Sequence, residues 1–479
     1  MEFLKDRKVR IGEPLYLSML IQLPFRACLL VVSAALLSSC STLGPQKEVA
    51  SEIVNLPETF SAIGETEVSS RWWEVFEDET LNRLIEETLE GNLELKEALA
   101  RVEEAVAVAR VSSSDRFPEL NAEAGARRED NEGVESDEFS AGLTASYELD
   151  LWGRVDALAD AERFQAEATR EDMRAVAISL SAETALARMD ALAARGGVEL
   201  LQQQVDDNQS LVDLLTNRFR SGQAERVDVL RQQQLLLQTR QVLNDVKTTS
   251  RLVNHRLAIL TGKAPSSFEG SMDQELPEVP GLPSTGIPLE TLTRRPDIRA
   301  AWLRIEAADR EVAAAISDRF PRISISASYG SEAPELSDLF EDWLWTLAGN
   351  IVAPLIDGGE RRANVDRADA IRDQRLAAYG QAVLEAMKEV EDALVQEQQQ
   401  VARLNDLSNQ RDLASETLKQ LELSYQNGAA NFLDVLSART QLQVLERETL
   451  FARRDHLRFR IALYRALAGG MDVEGEDYE

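Results

Sequence analysis

Side chains able to do chemistry are few in this 479-residue chain, and their scarcity limits what it can do. Histidine occurs twice, at His255 and His456, each inside a stretch of helical composition, so acid–base or metal chemistry built on imidazole has little material. Both are read as helix-surface residues. There is no Gly-rich phosphate loop, no spaced Cys/His cluster and no nucleophile elbow, so a hydrolase lacks a credible active site and neither a metal nor a dissociable cofactor is expected. Carboxylates are plentiful instead: 83 Asp+Glu against 52 Lys+Arg give a net charge of -31 and a pI near 4.6. That balance repels nucleic acid phosphates and anionic head groups, so nucleic acid is not expected as a partner. With 44% apolar but only 6% aromatic residues, the chain suits helix-on-helix packing better than a large mixed core.

Cysteine also occurs twice, at Cys28 and Cys40. Arg26 precedes an apolar run over residues 27–39, too short to span a bilayer as a helix but right for a signal peptide core. It ends in Leu37-Ser38-Ser39-Cys40, which resembles the bacterial lipoprotein box, where small residues admit the signal peptidase and the cysteine sulfur then carries diacylglycerol. Cys28 falls in the removed core, so the mature chain would hold one lipidated cysteine and no disulfide. Ser41 is not the aspartate that usually retains such lipoproteins at the inner membrane, so the resemblance implies the outer membrane. The stretch before Arg26 is long for a signal, and Met19 is an alternative start.

The stretch that the other elements must position runs from Phe139 to Arg154. Phe139, Ala141, Leu143, Ala145, Tyr147 and Leu149 alternate with Ser140, Gly142, Thr144, Ser146, Glu148 and Asp150, which predicts a strand of about ten residues with one apolar and one polar face. From Arg154, roughly sixty residues rich in Ala, Leu, Glu, Gln and Arg contain no proline, which predicts one helix of roughly 90 Å. Upstream, Arg71-Trp72-Trp73 leads into a helix over residues 78–111, with the paired tryptophans as packing residues. Pro118 ends the helical pattern and opens a second alternating run at Leu120, Ala122, Ala124 and Ala126. Polar residues 129–138 read as a water-exposed loop closing a hairpin. The long helix is seamed at Ala175, Ile178, Ala182, Ala185, Met189 and Leu192, spaced as in a coiled coil, and Gly196-Gly197 predicts a kink or local unwinding. A turn at Gly222 and the segment Val227-Asp228-Val229-Leu230 open a shorter helix returning to about Leu260.

After a Pro/Gly-rich linker the plan repeats. A helix spans residues 294–318, and Arg319-Phe320-Pro321 echoes Arg116-Phe117-Pro118. Ile323, Ile325, Ala327 and Tyr329 alternate with polar residues, and a fourth strand lies around residues 345–352. A second prolineless rod then runs to about Gln426, seamed by Leu404, Leu407, Ala414, Leu418, Leu421 and Tyr425. The turn recurs at Gly428, followed by Leu433-Asp434-Val435-Leu436. The expected organisation is a signal peptide (1–39), a lipidated tether (40–71), a first repeat of helix, hairpin, long helix and helix (72–262), a linker (263–288), a second repeat (289–470) and an acidic tail (471–479).

Strands of about ten residues with one apolar and one polar face fit a membrane barrel with a wet lumen, a water-soluble sandwich being the alternative. Four strands cannot close a barrel, and open edges in lipid leave backbone groups unpaired, so copies must pool their strands. Edge closure requires an oligomer without fixing its number. The segments Tyr147-Glu148-Leu149-Asp150-Leu151-Trp152-Gly153-Arg154, Arg294-Arg295-Pro296-Asp297-Ile298-Arg299-Ala300-Ala301, Asp318-Arg319-Phe320-Pro321 and Leu463-Tyr464-Arg465-Ala466-Leu467-Ala468-Gly469-Gly470 resemble hallmarks of TolC-like outer membrane efflux proteins, in the NodT-type lipoprotein branch. The resemblance covers nearly all of the chain after Cys40. It implies a mainly α protein with membrane β structure: a homotrimer with a twelve-stranded barrel, four strands per chain, continued by a twelve-helix periplasmic coiled-coil tunnel. Such channels dock onto a periplasmic adaptor and an inner membrane resistance-nodulation-division transporter, which supplies the energy. The channel is then a passive exit duct for small molecules or drugs and catalyses nothing.

In that family the far end of the tunnel is shut near the second-repeat turn, and the matching positions here are Tyr425, Gly428 and Asp434. Three copies of Asp434 around a narrow axis would repel one another and attract cations; its alternative role is an acid favoured by the helix dipole, which Asp228 fits better. This chain departs from its relatives at Ser437, where many place a second acid, and at Ala430, where some carry a basic latch, which implies a less tightly held gate. The adaptor is expected at the turns marked by Gly222, Asp228 and Gly428. Two other readings stay open on sequence: the channel of a protein-secretion system, and a lipid-anchored periplasmic coiled-coil scaffold without a pore.

Overall fold

The computed structural model describes residues 56–65, 68–131, 134–267 and 275–468. The signal peptide, Cys40, most of the tether and the acidic tail lie outside the described residues.

Asp78 starts helix α1 (Glu79–Gly91) because its Oδ1 accepts from the Thr80 and Leu81 amides at 2.9 and 3.1 Å. The single helix expected over residues 78–111 is in fact two. Asn92 leaves helical geometry and caps α2 (Leu93–Ser114), accepting from Glu94 and Leu95, while its Nδ2 donates to the Leu260 carbonyl at 2.9 Å. The break therefore ties the helix pair to the end of a distant one. After Pro118 come strands β1 (Glu119–Asn131) and β2 (Val134–Leu149), then the long α3 (Arg154–Arg220) and its return α4 (Arg226–Leu260). A one-turn α5 (Pro288–Leu292) and α6 (Pro296–Ser317) lead into β3 (Arg322–Ala333) and β4 (Leu344–Val352), followed by α7 (Glu360–Gln426) and α8 (Phe432–Leu467).

Both rods are 67 residues long, about 100 Å at the α-helical rise. Each begins after a glycine in left-handed conformation, Gly153 (φ 72°) and Gly359 (φ 91°), so the sharp turn out of the sheet relies on residues that tolerate positive φ. The expected local unwinding at Gly196-Gly197 does not occur; α3 is helical without a break from Arg154 to Arg220. A Cβ on Gly197 would sit 3.2 Å from Val246 Cγ1 and 3.3 Å from Phe451 Cζ, so the missing side chain lets α4 and α8 come close. The first seam is also wider than a coiled-coil stripe. Ile178, Ala182, Ala185, Met189 and Leu192 are buried, but so are Ala177, Leu180, Ala187 and Ala191, because other helices surround α3 here.

That surrounding core is anchored by Trp72 and Trp73, which pack as expected. Trp72 is fully buried, stacks on Tyr464 at 6.0 Å and donates from Nε1 to Ser181 Oγ at 3.3 Å. Beside it Arg188, wholly buried in α3, donates from Nε to Asp78 Oδ2 at 2.9 Å. Asp78 thus caps one helix with one oxygen and neutralises a buried cation with the other.

The four strands form one antiparallel sheet in the order β1-β2-β3-β4. The hairpin is longer than expected. Pairing continues to Asn131 opposite Val134, so the acidic residues read as a loop belong to strands of 13 and 16 residues. Arg128 and Asp137 face each other there, with both guanidinium–carboxylate contacts at 2.6 Å.

Candidate functional site: channel wall and helical turns

The register carries the alternation of single strands across the whole sheet. One row joins Leu120, Ala145, Ala327 and Leu347, and the next on that face joins Ala122, Leu143, Tyr329 and Trp345. Between them, on the opposite face, runs Asn121, Thr144, Ser328 and Thr346; beyond lie Glu148, Ser324 and Asn350. A sheet divided in this way into two faces, with Leu344 and Val352 at the ends of β4 as apolar exceptions on the polar side, can separate hydrocarbon from water. On the polar face Gly142 opposes Gly330, and a Cβ on Gly142 would lie 2.9 Å from the Gly330 Cα. Paired glycines let the two strands curl toward the polar side, as a closing wall must.

Aromatic rings bracket the apolar rows. At the helical end Trp152 stacks on Phe320 at 5.0 Å and donates to the Pro321 carbonyl at 2.8 Å. At the other end Tyr329 stacks on Trp343 at 4.8 Å, with Phe340 and Trp345 exposed nearby. Along β3 the two girdles are nine residues apart (329 − 320), about 30 Å of strand or roughly 23 Å once tilted, close to the apolar band of an outer membrane barrel. Among the described residues neither outer edge has a strand partner. β1 pairs only with β2 and β4 only with β3, and every residue of β4 except Ala348 is exposed.

Further along the rods, sequence reading missed a buried polar layer. Asn208 Nδ2 donates to Thr239 Oγ1 at 3.1 Å and to Gln443 Oε1 at 3.3 Å, and Gln232 Nε2 donates to Asn208 Oδ1 at 3.1 Å, joining α3, α4 and α8. Its signal was amide and hydroxyl side chains at helical spacing on otherwise apolar faces, such as Gln204 with Asn208 and Gln232 with Thr239. Such a layer fixes how the helices slide against one another, because any shift strands buried donors. His456 is a second correction: it is not a free surface residue. It lies mostly buried with Nε2 3.6 Å from Glu397 Oε1, and Glu397 also pairs with the buried Arg460. Burial pushes the Glu397 carboxyl up, but the His456 imidazole and the Arg460 guanidinium outweigh it and hold the carboxyl below the usual range.

The two turns at the far end are built alike. Gly222 and Gly428 have φ of 76° and 75°, and the following amides of Gln223 and Ala429 reach back to the Arg218 and Ser424 carbonyls at 2.8 Å. Leu215, Val229, Leu418, Phe432 and Val435 form one cluster, so the tips of the two helical hairpins pack together. Tyr425 belongs to that junction: its ring meets Phe432 edge-on at 5.8 Å, and the Arg218 guanidinium of the other hairpin lies 5.8 Å from its centre. The structure therefore joins Tyr425 to the first-repeat hairpin, while Gly428 shapes the second turn itself. Asp434 is exposed in the first turn of α8, its amide donating to Asn431 Oδ1 at 3.0 Å, and Asp228 is half-buried in the first turn of α4. No cluster of three or more His, Cys, Asp or Glu that could hold a metal occurs among the described residues.

A wall of amphipathic strands continued by two rods defines an outer membrane channel protein, and comparison with known proteins agrees. The family model described as outer membrane efflux protein matches residues 84–263 and 287–469, and the chain belongs to that family. It is 30% identical to the pyoverdine export outer membrane protein OpmQ of Pseudomonas aeruginosa, covering 86% of this chain and 90% of that one. It is 32% identical to the cation efflux system protein CusC of Escherichia coli, covering 83% and 88%. Among solved structures, the outer-membrane channel OprN superposes with a TM-score of 0.80 at 29% identity, over 90% of this chain and 99% of that one. The Vibrio cholerae outer membrane protein VceC superposes with a TM-score of 0.78 at 26% identity. The protein is an outer membrane efflux channel component.

Proposed function

We propose that three copies pool their sheets into a twelve-stranded barrel in the outer membrane, continued into the periplasm by a tunnel of twelve helices, and that this duct is the passive exit of a tripartite pump. The observation that carries the reading is a four-stranded sheet with one apolar face, one polar face and two unpaired edges, mounted on rods about 100 Å long. A periplasmic adaptor would grip the turns at Gly222, Asp228 and Gly428, and an inner membrane resistance-nodulation-division transporter would supply the energy. Tyr425, Gly428 and Asp434 would form the gate, with Tyr425 held between Phe432 and Arg218. Acyl chains on Cys40 would anchor the chain to the outer membrane lipid beside its own barrel, and no cofactor takes part. Exported compounds would be small molecules chosen by the transporter.

The test is reconstitution of the purified mature protein in planar bilayers. Discrete conductance steps are expected; a protein that stays monomeric without detergent and carries no current would overturn the reading in favour of a poreless scaffold.

A further inference from the structure

We propose that Asn427 is a self-modifying site: when the second turn opens, the Gly428 amide nitrogen attacks the Asn427 side-chain carbonyl carbon and converts the asparagine to aspartate or isoaspartate, a reaction that the closed turn holds back. The chemistry needs only this turn and does not rest on the channel reading above.

In the first step a bond forms between Gly428 N and Asn427 Cγ while the Cγ–Nδ2 bond breaks, and the Gly428 amide proton leaves with Nδ2 as ammonia. Water then opens the five-membered imide. Attack at Cγ gives aspartate with the chain path unchanged; attack at the backbone carbonyl carbon gives isoaspartate, whose chain runs through the side chain and is one methylene longer. No oxidant or reductant takes part, and either product adds one carboxylate.

Sequence and surroundings single out this residue. Of the asparagines in the chain, Asn427 alone precedes a glycine. A side chain on the following residue would shield its amide nitrogen, and glycine has none; a Cβ built on Gly428 would meet nothing within 4 Å, so the approach is open. The first turn cannot react in this way. The rods begin 206 positions apart (360 − 154), which makes Ser221 the counterpart of Asn427. Ser221 offers no carbonyl to attack, and its Oγ donates to the Asn217 and Arg218 carbonyls at 3.1 and 3.0 Å, which fastens its turn. The Asn427 side chain is exposed and makes no hydrogen bond among the described residues.

The closed turn opposes the attack. Asn427 has φ −85° and ψ 1°, which points the Gly428 nitrogen along the Asn427 backbone nitrogen and away from Cγ. Gly428 N donates to the Tyr425 carbonyl at 3.1 Å, and Ala429 N to that of Ser424 at 2.8 Å. Bringing the nitrogen onto Cγ rotates ψ and breaks the first of these bonds, so ring closure and turn closure exclude each other. The reaction rate therefore measures how often the turn opens. Its products feed back on the turn. Asn427 is the C-cap of α7, where the helix dipole disfavours a negative charge, and the longer isoaspartate chain cannot keep the spacing of the two turn bonds. A turn that has stayed open long enough to react is thus harder to close.

The test keeps the purified protein at neutral pH and growth temperature and follows the peptide carrying Asn427 by mass spectrometry and by isoaspartate-specific methylation. Conversion should be at least about tenfold slower in the folded protein than in concentrated urea. Phe432→Ala, which removes the ring that Tyr425 packs against, should convert at a rate between the two. Equal rates folded and unfolded, an unfolded chain that converts Asn427 no faster than Asn431, or a Phe432→Ala rate no higher than that of the wild type would each overturn the proposal. Asn427→Asp, an exposed change that leaves the packing beneath it intact, is the second measure. It installs one product directly, and limited proteolysis should cut its second turn about twofold to fivefold faster than the wild type. Cleavage at the wild-type rate would overturn the feedback of the product on the turn.

Discussion

Glu397 shows at residue scale how the helix bundle can depend on acidity. It is buried between Arg460 and His456, and its carboxyl titrates lower in the folded chain than it would unfolded. Its stabilising contribution is therefore complete above the unfolded carboxylate value of ~4.3 and is lost as pH falls through the lower folded value. Thermal melts of the wild type should lose stability in that window, while Glu397→Gln, which leaves Arg460 buried without its charge partner, should be destabilised by about 3 kcal/mol at neutral pH and show a flatter acid limb. An unchanged pH profile in the variant would refute the assignment. Asp434 is the other residue to test: exposed beside the second turn, it should favour cations in single-channel recordings, and Asp434→Ala should lower that preference. Sequence placed Asp434 and Tyr425 near the turn correctly because the repeated Gly motif marks its own position. It misjudged His456 because helical periodicity says which face a residue occupies but not which neighbour covers that face.

Elements behave differently from residues here, because their ends were legible while their contacts were not. Pro118, Gly153, Gly359 and Gly428 mark breaks through fixed backbone preferences, so both rods and both turns fall where the sequence puts them. Gly196-Gly197 did not follow the same rule. Glycine inside a helix can relax the backbone or make room, and only the positions of Val246 and Phe451 decide for room. Gly197→Leu should therefore wedge α3 away from α4 and α8, costing about 1–3 kcal/mol and exposing the rods to limited proteolysis, whereas a flexible hinge would tolerate it. The hairpin length was hidden for a related reason. Asp137 reads as a loop residue until the strands stand opposite each other, and then its ion pair with Arg128 extends the ladder.

At the scale of the whole molecule, the two bare edges of the sheet govern biogenesis as well as architecture. A chain carrying them has no resting place in hydrocarbon, so insertion waits for an encounter among copies, and that encounter obeys mass action. With three participants, halving the supply of chain should cut the initial rate of productive insertion about eightfold rather than twofold. Pulse-labelled cells expressing the protein at graded levels would display this as a steep threshold, and a linear dose response would mean that single chains insert on their own.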